Sequence, residues 1–222
     1  MHCHVIKPGI ISLKEGVRLQ NACFDSVCAK AFEAALILCQ HSPVITYGRR
    51  AGAGNILFSP DYLFHQGIEV LGIDRGGDVT YHGPGQLVVY PIFPLDIVGR
   101  DLHRYLRNLE EVILRFLSSF GIPAQRRPGL TGVWIEDKKI ASVGISVRRW
   151  VSFHGFSINI EDRGLSGYRF IRPCGMDLAM TSLAAQRGSG VLVENCLGNM
   201  LEACRHVFGV TFCQEEDLPW QK

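Results

Sequence analysis

Apolar residues recur along the chain in two periods, and the switches between them mark out its elements. Cys3 to Ile11 reads as a first strand. From Lys14 to Phe32 the residues Val17, Leu19, Ala22, Phe24, Val27, Cys28, Ala31 and Phe32 fall at broadly helical spacing, which predicts a helix buried along one side. Ala34 to Cys39 and Val44 to Tyr47 are short apolar runs separated by Gln-His-Ser-Pro, the pattern of a hairpin. Gly48 to Asn55 is glycine-rich and basic. Ser59-Pro60 then supplies an N-cap and a proline suited to the first helical position, so a short helix is expected to about Gln66. Ile68 to Ile73 and Leu87 to Phe93 read as two strands flanking a polar, glycine-rich loop.

Beyond that loop, Asp101 is placed to cap an amphipathic helix whose inward stripe is Leu102, Leu106, Leu109, Ile113, Phe116 and Phe120, with Gly121 ending it. Val133 to Ile135 and Ile140 to Val147 flank the turn Glu-Asp-Lys-Lys, and Val151 to Ile160 alternates as a third strand, giving an antiparallel meander. Gly164 to Gly175 reads as a loop ending Arg-Pro-Cys-Gly. Val191 to Phe208 is a last helix stopped by Gly209, and Val210 to Cys213 a short last strand. Strands outnumber helices and follow one another in hairpin order more often than through helices. The expectation is an α+β fold, a mixed and largely antiparallel sheet with helices packed against it, formed as one domain over residues 1–222.

Composition narrows the function classes. The chain has 222 residues with 47% apolar content, enough for a well-buried core, and a net charge of +2, which lacks the basic footprint of a dedicated nucleic-acid binder. Basic pairs at Arg49-Arg50, Arg126-Arg127 and Arg148-Arg149 remain available to an acidic partner or to an ordinary charged surface. Eight cysteines show no Cys-x-x-Cys spacing and no preceding secretory signal, so reduced thiols in a cytoplasm-like compartment are expected. No apolar run approaches the roughly 20 residues that span a bilayer. The opening Met-His-Cys-His packs its side chains too closely for one tetrahedral metal site.

Candidate chemistry concentrates in a few places. Arg75 to Gln86 carries four glycines and a proline together with Arg75, Thr80, Tyr81, His82 and Gln86, the composition of a ligand-binding loop held between strands. Cys174 is the one thiol in a loop, between Pro173 and Gly175, whereas Cys28, Cys39, Cys196 and Cys204 fall in apolar patterns typical of structural cysteine. A thiol attacks as thiolate, so it needs a cation or a base nearby. Lys139 could supply one, or could be a solvated turn residue beside Lys138. His82 and His154 are alternative partners, which would make a Cys–His hydrolase.

Taken together, these stretches resemble one family, the octanoyltransferases of lipoate biosynthesis, also called lipoate-protein ligase B. The resemblance is carried by Arg75-Gly76-Gly77-Asp78-Val79-Thr80-Tyr81-His82-Gly83-Pro84-Gly85-Gln86, Lys139-Ile140-Ala141-Ser142-Val143-Gly144, Phe153-His154-Gly155-Phe156-Ser157-Ile158-Asn159 and Pro173-Cys174-Gly175. His41-Ser42-Pro43-Val44-Ile45-Thr46-Tyr47-Gly48-Arg49 matches the family's N-terminal hairpin, and the blocks run in order from about residue 4 to about residue 205.

The resemblance implies the fold of the biotin and lipoate protein ligase catalytic domain. It also implies transfer of an octanoyl or lipoyl group from an acyl carrier protein thioester to a lysine ε-amine. The acceptors would be the lipoyl domains of 2-oxoacid dehydrogenases and the glycine cleavage H protein. By the same resemblance Cys174 is the acyl-thioester nucleophile and Lys139 activates it. Arg75, Gly76, Gly77, Asp78, Val79, Thr80, Tyr81 and His82, with Ser142, Val143, Gly144, Gly155, Phe156 and Ser157, would line the substrate pocket. No metal, cofactor, nucleic acid or membrane is called for, and the expected species is a cytoplasmic monomer. Two other readings are an ATP-dependent lipoate or biotin ligase of the same fold and a non-catalytic lipoyl-domain binding module.

Overall fold

The structure, a computed structural model, describes residues 1–52, 54–188 and 190–213, without the side chain of Cys174. Its centre is an eight-stranded sheet built from β1 (His2–Ile11), β2 (Ala34–His41), β6 (Gln86–Ile92), β7 (Gln125–Arg127), β8 (Leu130–Ile135), β9 (Lys138–Arg148), β10 (Val151–Asn159) and β11 (Thr211–Cys213). The order is β11-β1-β2-β6-β10-β9-β8-β7, with β1 parallel to both β11 and β2 and every other pair antiparallel. This is the mixed, largely antiparallel sheet of an α+β fold. Three further strands, β3 (Val44–Tyr47), β4 (Glu69–Gly72) and β5 (Val79–His82), form a separate sheet in the order β4-β3-β5.

Both faces of the large sheet are covered, which is why β2 reads as an unbroken apolar run. Ala34, Leu36 and Leu38 join Leu87 and Val89 in a core with α3 (Leu102–Ser118) and α5 (Val193–Phe208). The alternate residues Ala35, Ile37 and Cys39 meet Val88, Tyr90 and Ile92 in a second core that includes Cys23, Phe24 and Val27 of α1 (Leu13–Cys28). A third cluster of Ile45, Leu63, Ile68, Val79, Tyr81, Phe170 and Ile171 joins the small sheet to α2 (Pro60–His65) and to a 3-10 segment, Asp162–Phe170.

The helix starts are set by local chemistry. Ser12 and Glu15 exchange hydrogen bonds in a capping box, Ser59 accepts from the Tyr62 N–H with Pro60 behind it, and Asp101 accepts from the Arg104 N–H.

Four expectations change. The first helix stops at Cys28, because Lys30 takes a left-handed φ of 61° and turns the chain toward β2. His41-Ser42-Pro43-Val44 does not close a hairpin: β2 pairs with β1 and β6, whereas β3 pairs with β4 and β5, so the chain crosses from one sheet to the other. The stretch Arg75 to Gln86 is not one loop, since Val79–His82 is a buried strand within it. In α3 the inward stripe is Tyr105, Leu109, Val112, Ile113, Phe116 and Leu117; Leu102 is exposed and Leu106 faces the cavity described next.

Candidate active site

A cavity of about 550 Å³ lies between the 75–82 stretch and strands β6, β9 and β10. Its size falls within the ~300–1,000 Å³ usual for small-molecule sites. Of the residues singled out in the sequence, Arg75, Gly76, Gly77, Asp78, Val79, Thr80 and His82 line it on one side. Lys139, Ser142, Val143, Gly144, Gly155, Phe156 and Ser157 line it on the other. Tyr81 does not line it. Successive residues of β5 point to opposite faces, so Thr80 and His82 face the cavity while the Tyr81 ring packs beside Tyr168 in the third core cluster, at 6.0 Å between centroids.

The two sides are tied at Gly76, whose N–H donates to Ile145 O at 2.8 Å. Arg75, only 8% exposed, has its guanidinium held by Thr46: Nη2 donates to the Thr46 carbonyl at 2.9 Å and to its hydroxyl at 2.9 Å. The Asp78 carboxylate accepts from the Gly52 N–H at 3.1 Å and from the Asn55 amide, anchoring the glycine-rich segment that begins at Gly48. Opposite, β9 and β10 pair Gly144 with Gly155 and Ser142 with Ser157. Gly155 must be glycine: a Cβ there would stand 2.1 Å from Val89 O and 2.6 Å from Pro91 Cδ.

Lys139 is buried, which the sequence alone could not decide. A register shift between Val133 and Trp134 in the β8–β9 pairing sets two residues of β9 opposite one step of β8 just after Lys139, a bulge of the kind that re-aims a side chain. The ammonium then lies 4.9 Å from the centroid of the Trp134 ring and donates to Thr131 O at 3.1 Å. The backbone of Lys139 is clamped as well, its N–H donating to Ala179 O at 2.9 Å and its carbonyl accepting from the Thr181 N–H at 3.0 Å. Those partners follow shortly after the 3-10 turn Pro173–Gly175, and Pro173 and Gly175 line the same cavity. Cys174 is the middle residue of that turn; its side chain lies outside the described atoms.

The imidazoles around the cavity are neutral. His82 Nδ1–H donates to Gln86 Oε1 at 2.7 Å, because the Gln86 amide nitrogen donates to Tyr81 O and Asn159 Oδ1 and so leaves its oxygen as acceptor. Burial, then the neighbouring His41, pushes the His82 pKa down to about 3. Burial and the Arg75 charge push His154 down to about 4. Behind them His41 Nδ1–H donates to Ile11 O at 3.1 Å, and its Nε2 accepts from the Tyr90 hydroxyl at 2.7 Å; burial lowers its pKa too. Imidazoles that protonate only near pH 3–4 are weak bases at neutrality, which counts against the Cys–His hydrolase reading.

Several lining or supporting residues escaped the sequence reading: Thr46, Asn55, Tyr90, Leu106 and Thr131. Asn55 directly follows Gly54 and Thr46 lies two residues before Gly48, so both belong to the glycine-rich segment around residue 48. Tyr90 and Leu106 sit in apolar patterns that mark them only as core.

A mixed sheet presents a glycine-lined cavity with a buried lysine and a cysteine-bearing turn at its edge, on the fold shared by the lipoate and biotin protein ligases. The chain matches the family described as the lipoyl protein ligase A/B catalytic domain over residues 13–205. It is 40% identical over 214 residues to an octanoyltransferase of Caldicellulosiruptor saccharolyticus, covering 94% of this chain and 91% of that one. It is 44% identical over 167 residues to an octanoyltransferase of Clostridium kluyveri, covering 75% and 71%. The chain therefore belongs to the lipoyl protein ligase A/B family, and within it to the octanoyltransferases. Among solved structures it shares its fold with lipoate-protein ligase A bound with ATP, at a TM-score of 0.76 and 14% identity over 99% of this chain and 90% of that one. The biotin protein ligase from Aquifex aeolicus in complex with biotin and ATP matches at 0.55 and 14%, over 94% and 70%.

Proposed function

We propose that this chain transfers an octanoyl group from the thioester of an acyl carrier protein to a lysine ε-amine of a lipoyl domain, through a thioester on Cys174. The observation that carries this reading is that Lys139 and the Pro173–Gly175 turn line one cavity, with the backbone on both sides of Lys139 hydrogen-bonded to the segment after the turn. The kinship with octanoyltransferases supplies the acyl group.

In the first half-reaction the Cys174 thiolate attacks the carrier's thioester carbonyl. A new C–S bond forms, the bond to the phosphopantetheine sulfur breaks, and the proton that left Cys174 is returned to the departing thiolate by way of Lys139. Exchange of one thioester for another is nearly isoenergetic, so the acyl group keeps its activation. In the second, the acceptor amine attacks the Cys174 thioester and gives up a proton, an amide forms, and the C–S bond to Cys174 breaks with return of the thiol. Splitting the transfer in two replaces one hard step with two easier ones. Lys139 is suited to moving these protons because its ammonium is shielded from bulk water and held in place by Thr131 O and the Trp134 face.

The apolar lining supplied by Ile73, Val88, Leu106, Val143, Ile145 and Phe156 suits a saturated chain, at about 0.8 kcal/mol per buried methylene. Arg75 to Asp78 and Gly144 line the same cavity. The acceptors we assign are the lipoyl domains of 2-oxoacid dehydrogenases and the H protein. The setting is a reducing, cytoplasm-like one, in keeping with the free state of the seven described cysteines. Among the described residues no helix is long and apolar enough to cross a membrane.

Intact-protein mass after incubation with octanoyl-acyl carrier protein tests the proposal. One hydroxylamine-labile octanoyl adduct is expected on the wild type and none on Cys174→Ala, and the adduct should discharge onto an added lipoyl domain without ATP. Modification of the lipoyl domain only with free octanoate and ATP, and without an adduct, would replace this reading by an adenylating ligase.

A further inference from the structure

We propose that Glu110 is a positioning residue for Lys139, acting through the single peptide unit that joins Thr131 to Gly132; the inference rests on the function proposed above. Glu110 is 1% exposed on the face of α3 that packs on the sheet, between Leu109 and Val112, both fully buried. A carboxylate so placed is costly unless every lone pair is met. One oxygen faces two cations, Arg107 Nη1 at 2.6 Å and Arg126 Nε at 3.2 Å. The other accepts the Gly132 N–H at 3.0 Å.

The Gly132 N–H and the Thr131 carbonyl belong to one planar trans peptide, so they point in opposite directions. Glu110 holds the N–H end, and the carbonyl end receives the Lys139 ammonium at 3.1 Å. Fixing one end of a rigid plane fixes the other. Hydrogen bonds at both ends also polarise the peptide in the same sense, strengthening each. Gly132 itself takes φ 132°, and a Cβ there would lie 2.7 Å from Lys139 Cε and 3.3 Å from its Nζ, so the lysine crosses the backbone in the space that a side chain would fill. The two arginines satisfy the charge of Glu110; its reach to Gly132 is what sets the seat of Lys139.

Two substitutions separate reach from charge. Glu110→Asp keeps the charge for Arg107 and Arg126 but withdraws the carboxylate by one methylene from the Gly132 N–H. Glu110→Gln keeps the reach, with its carbonyl oxygen toward Gly132, but loses the ion pairs. The readout is the single-turnover rate of Cys174 acylation by octanoyl-acyl carrier protein across pH and donor concentration, on variants shown folded by circular dichroism. Glu110→Asp should lower the maximum rate on the order of tenfold and displace its pH midpoint, with donor half-saturation unchanged, as misplacement of a catalytic group does. Glu110→Gln should lower Tm yet keep the wild-type rate and pH profile, and in a Lys139→Ala background Glu110→Asp should cost nothing more. A Gln variant that loses the rate while Asp retains it, or two variants with wild-type profiles, would overturn the inference; if Asp fails to fold, Glu110→Met, which keeps the side-chain length but offers no acceptor to the Gly132 N–H, takes its place, and a wild-type rate and pH profile in it would overturn the inference. A wild type that takes no octanoyl group at all would instead refute the function itself.

Discussion

A lysine ammonium on a residue 8% exposed needs partners for its charge, and Lys139 has them in the Thr131 carbonyl and the Trp134 ring. Lys139→Met keeps most of the volume and removes the proposed proton carrier. The acylation rate should fall by about 10²–10⁴-fold, the range for loss of a positioned acid or base, while the urea midpoint stays close to wild type. Stopped-flow release of the carrier thiol measures it. Gly155 makes a prediction of another kind. Gly155→Ala would drive a Cβ to 2.1 Å from Val89 O, and the forced backbone shift should cost about 1–3 kcal/mol, read by urea unfolding. Both residues stand in the stretches that signal the family, yet the reason for the glycine is visible only with β6 alongside β10.

At the scale of elements, local signals were legible where neighbours in sequence are the partners. Asp101 caps α3 through the Arg104 N–H, and Asp101→Ala should lower stability by about 1 kcal/mol without altering transfer; thermal unfolding reports the first and an acylation assay the second. The β8–β9–β10 meander followed from its alternation and its turn. The supposed hairpin after β2 failed for a physical reason: turn chemistry at Ser42-Pro43 specifies that the chain bends, not which strand it meets next. β3 finds its hydrogen bonds with β4 and β5 instead. The bulge that turns Lys139 inward was equally hidden, because a one-residue offset between two strands leaves no mark in either apolar pattern.

For the whole molecule, the buried neutral histidines give stability a pH dependence. His82 and His154 protonate near pH 3 and 4 in the folded chain but near 6.5 when unfolded. The unfolded state therefore binds more protons between those limits. Stability should be full above pH 6.5 and fall as pH drops toward 4, by about 1.4 kcal/mol per pH unit for each histidine in that window. Urea unfolding at pH 7, 6 and 5 checks this; a flat response would mean that these imidazoles are not buried and neutral. What the sequence determined by itself was the capped helices α2 and α3, the β8–β9–β10 meander, the α+β class and the polar and glycine-rich blocks that belong to the family, since periodicity, caps and short motifs act over a few residues. What only the tertiary structure decided was which strands share a sheet, that Tyr81 turns into the core, and that Lys139 is buried beside the Cys174 turn with Glu110 behind it. Those depend on contacts between residues tens of positions apart, where burial and hydrogen-bond satisfaction, rather than local preference, choose the partner.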